Sequence, residues 1–102
     1  MNVIARRRLQ AWSEGYAEIS RSLEQFYRTI LHAKWQSLQD VRRIYRDADA
    51  VTVASGKTVT VFNIGGNKFR LVVAIHYNRQ RVYLLRLMTH AEYSKNRWQK
   101  KL

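Results

Sequence analysis

Cysteine and proline are both missing from this 102-residue chain, and carboxylates are few. Without a thiol there can be no disulfide, no thiolate zinc site and no cysteine nucleophile, a composition that suits a reducing compartment. With no proline, four glycines and no Gly/Ser-rich stretch, nothing reads as a linker, and no internal repeat or low-complexity tract is present. No segment approaches the roughly 20 apolar residues of a membrane span. The start, Met1-Asn2-Val3-Ile4-Ala5 followed by Arg6-Arg7-Arg8, lacks the apolar run that follows the basic region of a signal peptide, so the expected address is the cytoplasm.

What is present is enough for one folded domain. Apolar residues make up 46% and aromatics 12% of the chain, which supplies a core without staples and is unlike a disordered basic tail. The formal charge of +12 is unevenly spread: residues 51–102 hold ten Lys/Arg against the single carboxylate Glu92, whereas the first half holds nine against six. A strand-rich half with net charge +9 is suited to a polyanion, because neutralising phosphates releases condensed counterions. Charge of this kind argues for binding, not for chemistry.

Residues 1–102 divide into a helical half (about 5–46), a strand meander (about 51–89) and a polar tail (90–102). Residues 2–4 read as a short strand, after which Leu9, Trp12 and Tyr16 share one helical face. Ile19, Leu23, Phe26, Tyr27, Ile30, Leu31 and Trp35 form a broad apolar stripe that predicts a longer, core-facing helix. Ser37-Leu38-Gln39-Asp40 resembles the opening of a third helix, with the Ser37 hydroxyl as its cap. From Val51 the period falls to two. Turns are expected at Ser55-Gly56, at Gly65-Gly66 and at Asn78-Arg79-Gln80. If Tyr77 pairs with Arg81, then Arg70 lies opposite Met88, Lys68 opposite His90 and Arg86 opposite Val72, and Lys68, Arg70, Arg86 and His90 converge on one sheet face. The tail is expected to be a short helix or an extended arm. The fold class is α+β, with N-terminal helices packed on one face of a small, mainly antiparallel sheet and the other face partly concave and basic.

The scarcity of acids limits the chemistry. His32, His76 and His90 are far apart in sequence, so no metal-ligand spacing stands out. Paired-carboxylate mechanisms lack their carboxylates. RNA strand cleavage needs neither, because the nucleophile is the substrate's own 2′-hydroxyl and the protein supplies a base, an acid and cations. Lys, Arg, Tyr and His suffice.

Two runs, Asn63-Ile64-Gly65-Gly66-Asn67-Lys68-Phe69-Arg70-Leu71-Val72-Val73 and Thr89-His90-Ala91-Glu92-Tyr93-Ser94-Lys95, resemble the two signatures of the HigB toxins, in the RelE-like superfamily of bacterial type II toxin–antitoxin systems. The resemblance covers most of the chain. It implies a RelE-like fold and an endoribonuclease that cuts mRNA, usually on the translating ribosome, and is held inactive by a cognate antitoxin. It implies neither metal nor small-molecule cofactor. Arg70 falls where the superfamily places an arginine against the scissile phosphate, and His90 to Lys95 fills the segment that carries catalytic groups. The chain departs from the usual run at Met88, where Gly is common, and at Ser94, where Asp is common. Arg86 also falls one position later than the family's usual basic residue.

The expected catalytic set is therefore Arg70 and Lys68 for phosphate charge, His90 for acid–base work, since an imidazole ordinarily titrates near pH 6.5, Tyr93 as donor or stacking group, and Lys95 on the backbone. Asn67, Arg79, Arg81 and Arg86 are expected RNA contacts. Whether His90 is base or acid stays open. The competing readings are a non-catalytic basic module for RNA or the ribosome, and a purely structural protein-interaction domain.

Overall fold

The computed structural model describes all 102 residues. In chain order these form β1 (Asn2–Ile4), α1 (Arg6–Gly15), α2 (Ser20–His32), α3 (Leu38–Ile44), β2 (Asp49–Thr52), β3 (Thr58–Ile64), β4 (Phe69–His76), β5 (Arg81–Thr89) and α4 (His90–Ser94), with short 3₁₀ turns at Ala17–Ile19, Tyr77–Arg79 and Arg97–Lys101. The sheet runs β1-β5-β4-β3-β2. β1 lies parallel to β5, and every other pairing is antiparallel. This is the α+β fold the periodicity predicts.

The apolar stripe of α2 is buried as expected at Leu23, Phe26 and Ile30, against Phe62, Leu71, Val73, Val82 and Leu84 of the sheet. Phe26 meets Phe62 edge-on at 4.8 Å, a geometry that adds to area burial. Two residues of the stripe differ from expectation: Leu31 is exposed, and Trp35 lies beyond the helix, where it is buried and stacks on Phe62. At α3 the Ser37 hydroxyl makes no capping bond. The Asp40 carboxylate instead accepts from the Gln36 backbone N–H at 2.8 Å, reaching back over the helix start.

The far sheet face is not the open basic surface the charge pattern suggests. Val53, Val59, Val61, Val72 and Met88 form a second apolar cluster there, closed by Trp98. The C-terminal 3₁₀ turn is strapped across it: the Ala54 N–H donates to Gln99 O at 3.1 Å, and the Ser55 hydroxyl to Leu102 O at 2.7 Å. Isolated in a cationic tail, Trp98 still brings its large apolar area to bear on whichever face it covers.

The register of the central hairpin explains how Arg86 is aimed. Arg70 pairs with Met88 and Val72 with Arg86, as expected, but at the loop end His76, not Tyr77, pairs with Arg81. The two halves differ by one residue because the ladder shifts between Val72 and Val73, leaving Leu85 as a β-bulge that resets the alternation. The bulge keeps Arg86 off the helix-side core. Its carbonyls are satisfied from α1: Arg8 donates to Leu84 O at 2.9 Å and to Leu85 O at 2.7 Å, just past the point where β1 stops pairing with β5.

Candidate functional site

The β3–β4 turn shapes one end of the site. Gly65, Gly66 and Asn67 all have positive φ, a run that two glycines and an asparagine tolerate best. Gly65 also has a steric reason: a Cβ there would lie 2.6 Å from Cγ2 of Ile19. The turn aims the Asn67 carbonyl at Arg70, whose guanidinium donates to Asn67 O at 2.9 Å and to Phe69 O at 3.1 Å. Arg70 is half-buried and stands over the Tyr93 ring, 5.7 Å from its centroid. Across the ladder, the His90 N–H donates to Lys68 O at 2.9 Å. Lys68, Arg70, His90 and Tyr93 are thus brought to one end of the β4–β5 hairpin.

α4 owes its start to a complete capping box. Thr89 Oγ1 accepts from the Glu92 N–H at 3.2 Å, while the Glu92 carboxylate accepts from Thr89 N and Oγ1 at 3.1 and 3.0 Å. The Thr-x-x-Glu spacing was a readable signal for this helix. Glu92, the sole acid of the second half, is therefore engaged in building the helix. It is also not the only carboxylate nearby, since Asp49 on β2 acts electrostatically on Tyr93.

Tyr93 is held from two sides. Trp98 stacks on it at 5.3 Å, and the Trp98 indole N–H donates to Tyr93 O at 3.1 Å. The ring face that Trp98 covers is open to a stacking base only if Trp98 is displaced. Burial pushes the Tyr93 phenol above its ordinary value, Asp49 raises it further, and Arg70 opposes the shift. The phenol is consequently protonated near neutrality, which suits a donor and not a base. Ser94 Oγ donates to His90 O at 2.9 Å and lies 3.5 Å from Nδ1 of the exposed His90 ring.

Other expected residues lie elsewhere. Arg86 and Lys95 line a cleft of about 340 Å³ with Arg97, Lys101, Met88 and Trp98, whose walls include neither Arg70 nor His90. Arg79 and Arg81 sit at the opposite end of the hairpin, where Arg81 pairs with His76. Six residues of strand separate that point from Arg70, roughly 20 Å, so these two arginines do not join the site. Arg97 and Lys101 are the cations that sequence reasoning passed over. No group of three or more His, Asp or Glu is placed to hold a metal ion, and no helix is long and apolar enough to cross a membrane.

Helices on one face of a five-stranded mixed sheet, with a cationic hairpin end and a short C-terminal helix, make up the architecture of a RelE-like toxin. The chain belongs to the HigB toxin family, whose model, described as a RelE-like toxic component of a toxin-antitoxin system, matches residues 19–96. It is 26% identical over 93 residues to the mRNA interferase toxin HigB of Escherichia coli K12, covering 91% of this chain and 88% of that protein. The mRNA interferase HigB of Shigella flexneri matches over the same shares at the same identity. The mRNA interferase HigB of Escherichia coli O6:H1 is 22% identical over 95 residues, or 93% of this chain and 90% of that protein.

Proposed function

We propose that this toxin is an endoribonuclease that cuts mRNA on the translating ribosome, in the cytoplasm, and is held inactive by a cognate antitoxin. Membership of the HigB toxin family and similarity to mRNA interferases support the activity. The observation that carries the site is the fixing of Arg70: two backbone carbonyls and the Tyr93 ring hold its guanidinium at a half-buried position beside α4. A cation so held needs no reorganisation when phosphate charge develops.

The reaction is a transesterification. The 2′-oxygen bonds to phosphorus as the bond to the 5′-oxygen breaks. A base takes the 2′-hydroxyl proton, an acid protonates the departing 5′-oxygen, and a 2′,3′-cyclic phosphate and a 5′-hydroxyl result. Arg70, assisted by Lys68, meets the phosphate charge, and His90 is the acid–base group. Tyr93, protonated, donates to the phosphate or the leaving oxygen. Asn67 acts through Arg70 and is a positioning residue.

The experiment is expression in a bacterial host with mapping of new mRNA 5′ ends, for the wild type and His90→Ala. New ends in the wild type alone are the expected result. Growth arrest without new ends, alongside salt-sensitive RNA affinity, would replace this reading with a non-catalytic RNA- or ribosome-binding module.

A further inference from the structure

The cleft beyond α4 has no part in the chemistry proposed above, yet it concentrates charge. Arg86, Lys95, Arg97 and Lys101 line its walls over a floor of Met88 and Trp98. None of the four cations is in an ion pair; the ion pairs of the molecule are Arg28–Glu24, Arg42–Asp49 and Arg43–Asp40. The one carboxylate in the wall, Glu92, is turned back to Thr89 in the capping box. Four like charges, on β5, just past the end of α4 and on the C-terminal turn, repel one another, and an anion seated between them relieves that repulsion. The supporting backbone is fixed by the buried Trp98 and its bond to Tyr93.

We propose that this cleft is a second phosphate seat, separate from Arg70, which holds a backbone phosphate of RNA through Arg86, Lys95, Arg97 and Lys101. The inference rests on the RNA reading of the site but not on cleavage. The phosphate has two sources, the message being cut or ribosomal RNA.

The test uses the double variant Arg97→Gln/Lys101→Gln in the full chain; both side chains are exposed, and a thermal melt verifies folding. Affinity for a single-stranded 2′-O-methyl RNA oligonucleotide, which lacks the nucleophile, is measured by fluorescence anisotropy across salt concentrations. Removing two of the four cations that neutralise this one phosphate should lower the slope of log K against log salt by up to about 0.7, the value for one phosphate on a single strand. The charge-keeping variant Arg97→Lys/Lys101→Arg should retain the wild-type slope. A reduced slope on the oligonucleotide assigns the phosphate to the message. An unchanged slope there with weaker binding to empty ribosomes assigns it to ribosomal RNA. Unchanged binding to both overturns the proposal, also if antitoxin affinity falls, since the cleft would then face protein. Mapping of 5′ ends in parallel separates the two readings: a wild type that cuts while the variant binds oligonucleotide and ribosomes unchanged refutes the cleft alone, and weaker binding by the variant without cutting by the wild type refutes only the cleavage assignment.

Discussion

Gly65 and Gly66 have nearly the same backbone conformation, φ +65 and +63, but different surroundings, and alanine at each should separate two costs. At Gly66 a new Cβ meets nothing within 4 Å, so the substitution bears only the left-handed backbone penalty of about 1–2 kcal/mol, partly offset by the stiffer unfolded chain. At Gly65 the Cβ would lie 2.6 Å from Cγ2 of Ile19. Ile19 is 2% exposed and cannot swing aside, so overpacking adds roughly 1–3 kcal/mol. Thermal unfolding should show a midpoint lower by about 4–8 °C for Gly66→Ala, a net cost of about 1 kcal/mol, and about 8–32 °C for Gly65→Ala, at about 4–8 °C per kcal/mol for a domain of this size. In an Ile19→Ala background the two substitutions should cost alike, because the clashing methyl is gone. Equal losses in the wild-type background would refute the steric argument and with it the account of why this turn requires glycine at 65.

Trp98→Ala should destabilise the protein by about 3–5 kcal/mol through loss of cover over the second cluster, whereas Trp98→Phe should lose only about 1–2 kcal/mol with the indole hydrogen bond and some packing; urea denaturation distinguishes them. Arg8→Met should cost about 1–2 kcal/mol, since water reaches Leu85 O in its place, and should speed amide exchange on β5 around the bulge before other strands. The Tyr93 phenol is raised in the folded state, so its contribution to stability is complete below its unfolded value near pH 10 and is lost as pH rises through the folded value. Tyr93→Phe should therefore keep more of its neutral-pH melting temperature than the wild type at alkaline pH. Parallel pH profiles for the two would contradict the burial assigned to that phenol.

Much of this architecture is legible in the residues. The change of period at Val51, the stripe from Ile19 to Ile30 and the paired glycines at 65–66 each follow from local geometry, whereas Arg70 comes opposite Met88 only because a bulge offsets the loop-end pairing of His76 with Arg81. The bulge at Leu85 is not legible, because a single extra residue leaves no trace in an apolar run such as Tyr83-Leu84-Leu85. Two further signals are readable in the sequence. Val72-Val73, adjacent and both apolar, implies burial on both sheet faces, and Trp98 in a cationic tail supplies the cover. Thr89-x-x-Glu92 likewise spells a capped helix. The cationic site depends on pairing: the hairpin ladder and the helix that follows it bring Arg70 and His90 to one end, whereas Arg79 and Arg81 lie at the other. Arg97 and Lys101 depend on the fold of the tail, which local sequence alone did not settle.

The most direct measurement of the central claim is cleavage of a defined message in a translating extract by wild type, Arg70→Ala and His90→Ala, with the chemistry of the new ends determined. The account predicts fragments ending in 2′,3′-cyclic phosphate, and losses of roughly 100-fold or more for each variant with salt-sensitive RNA binding retained. Wild-type cutting rates in both variants, or fragments ending in a 3′-hydroxyl, would contradict it.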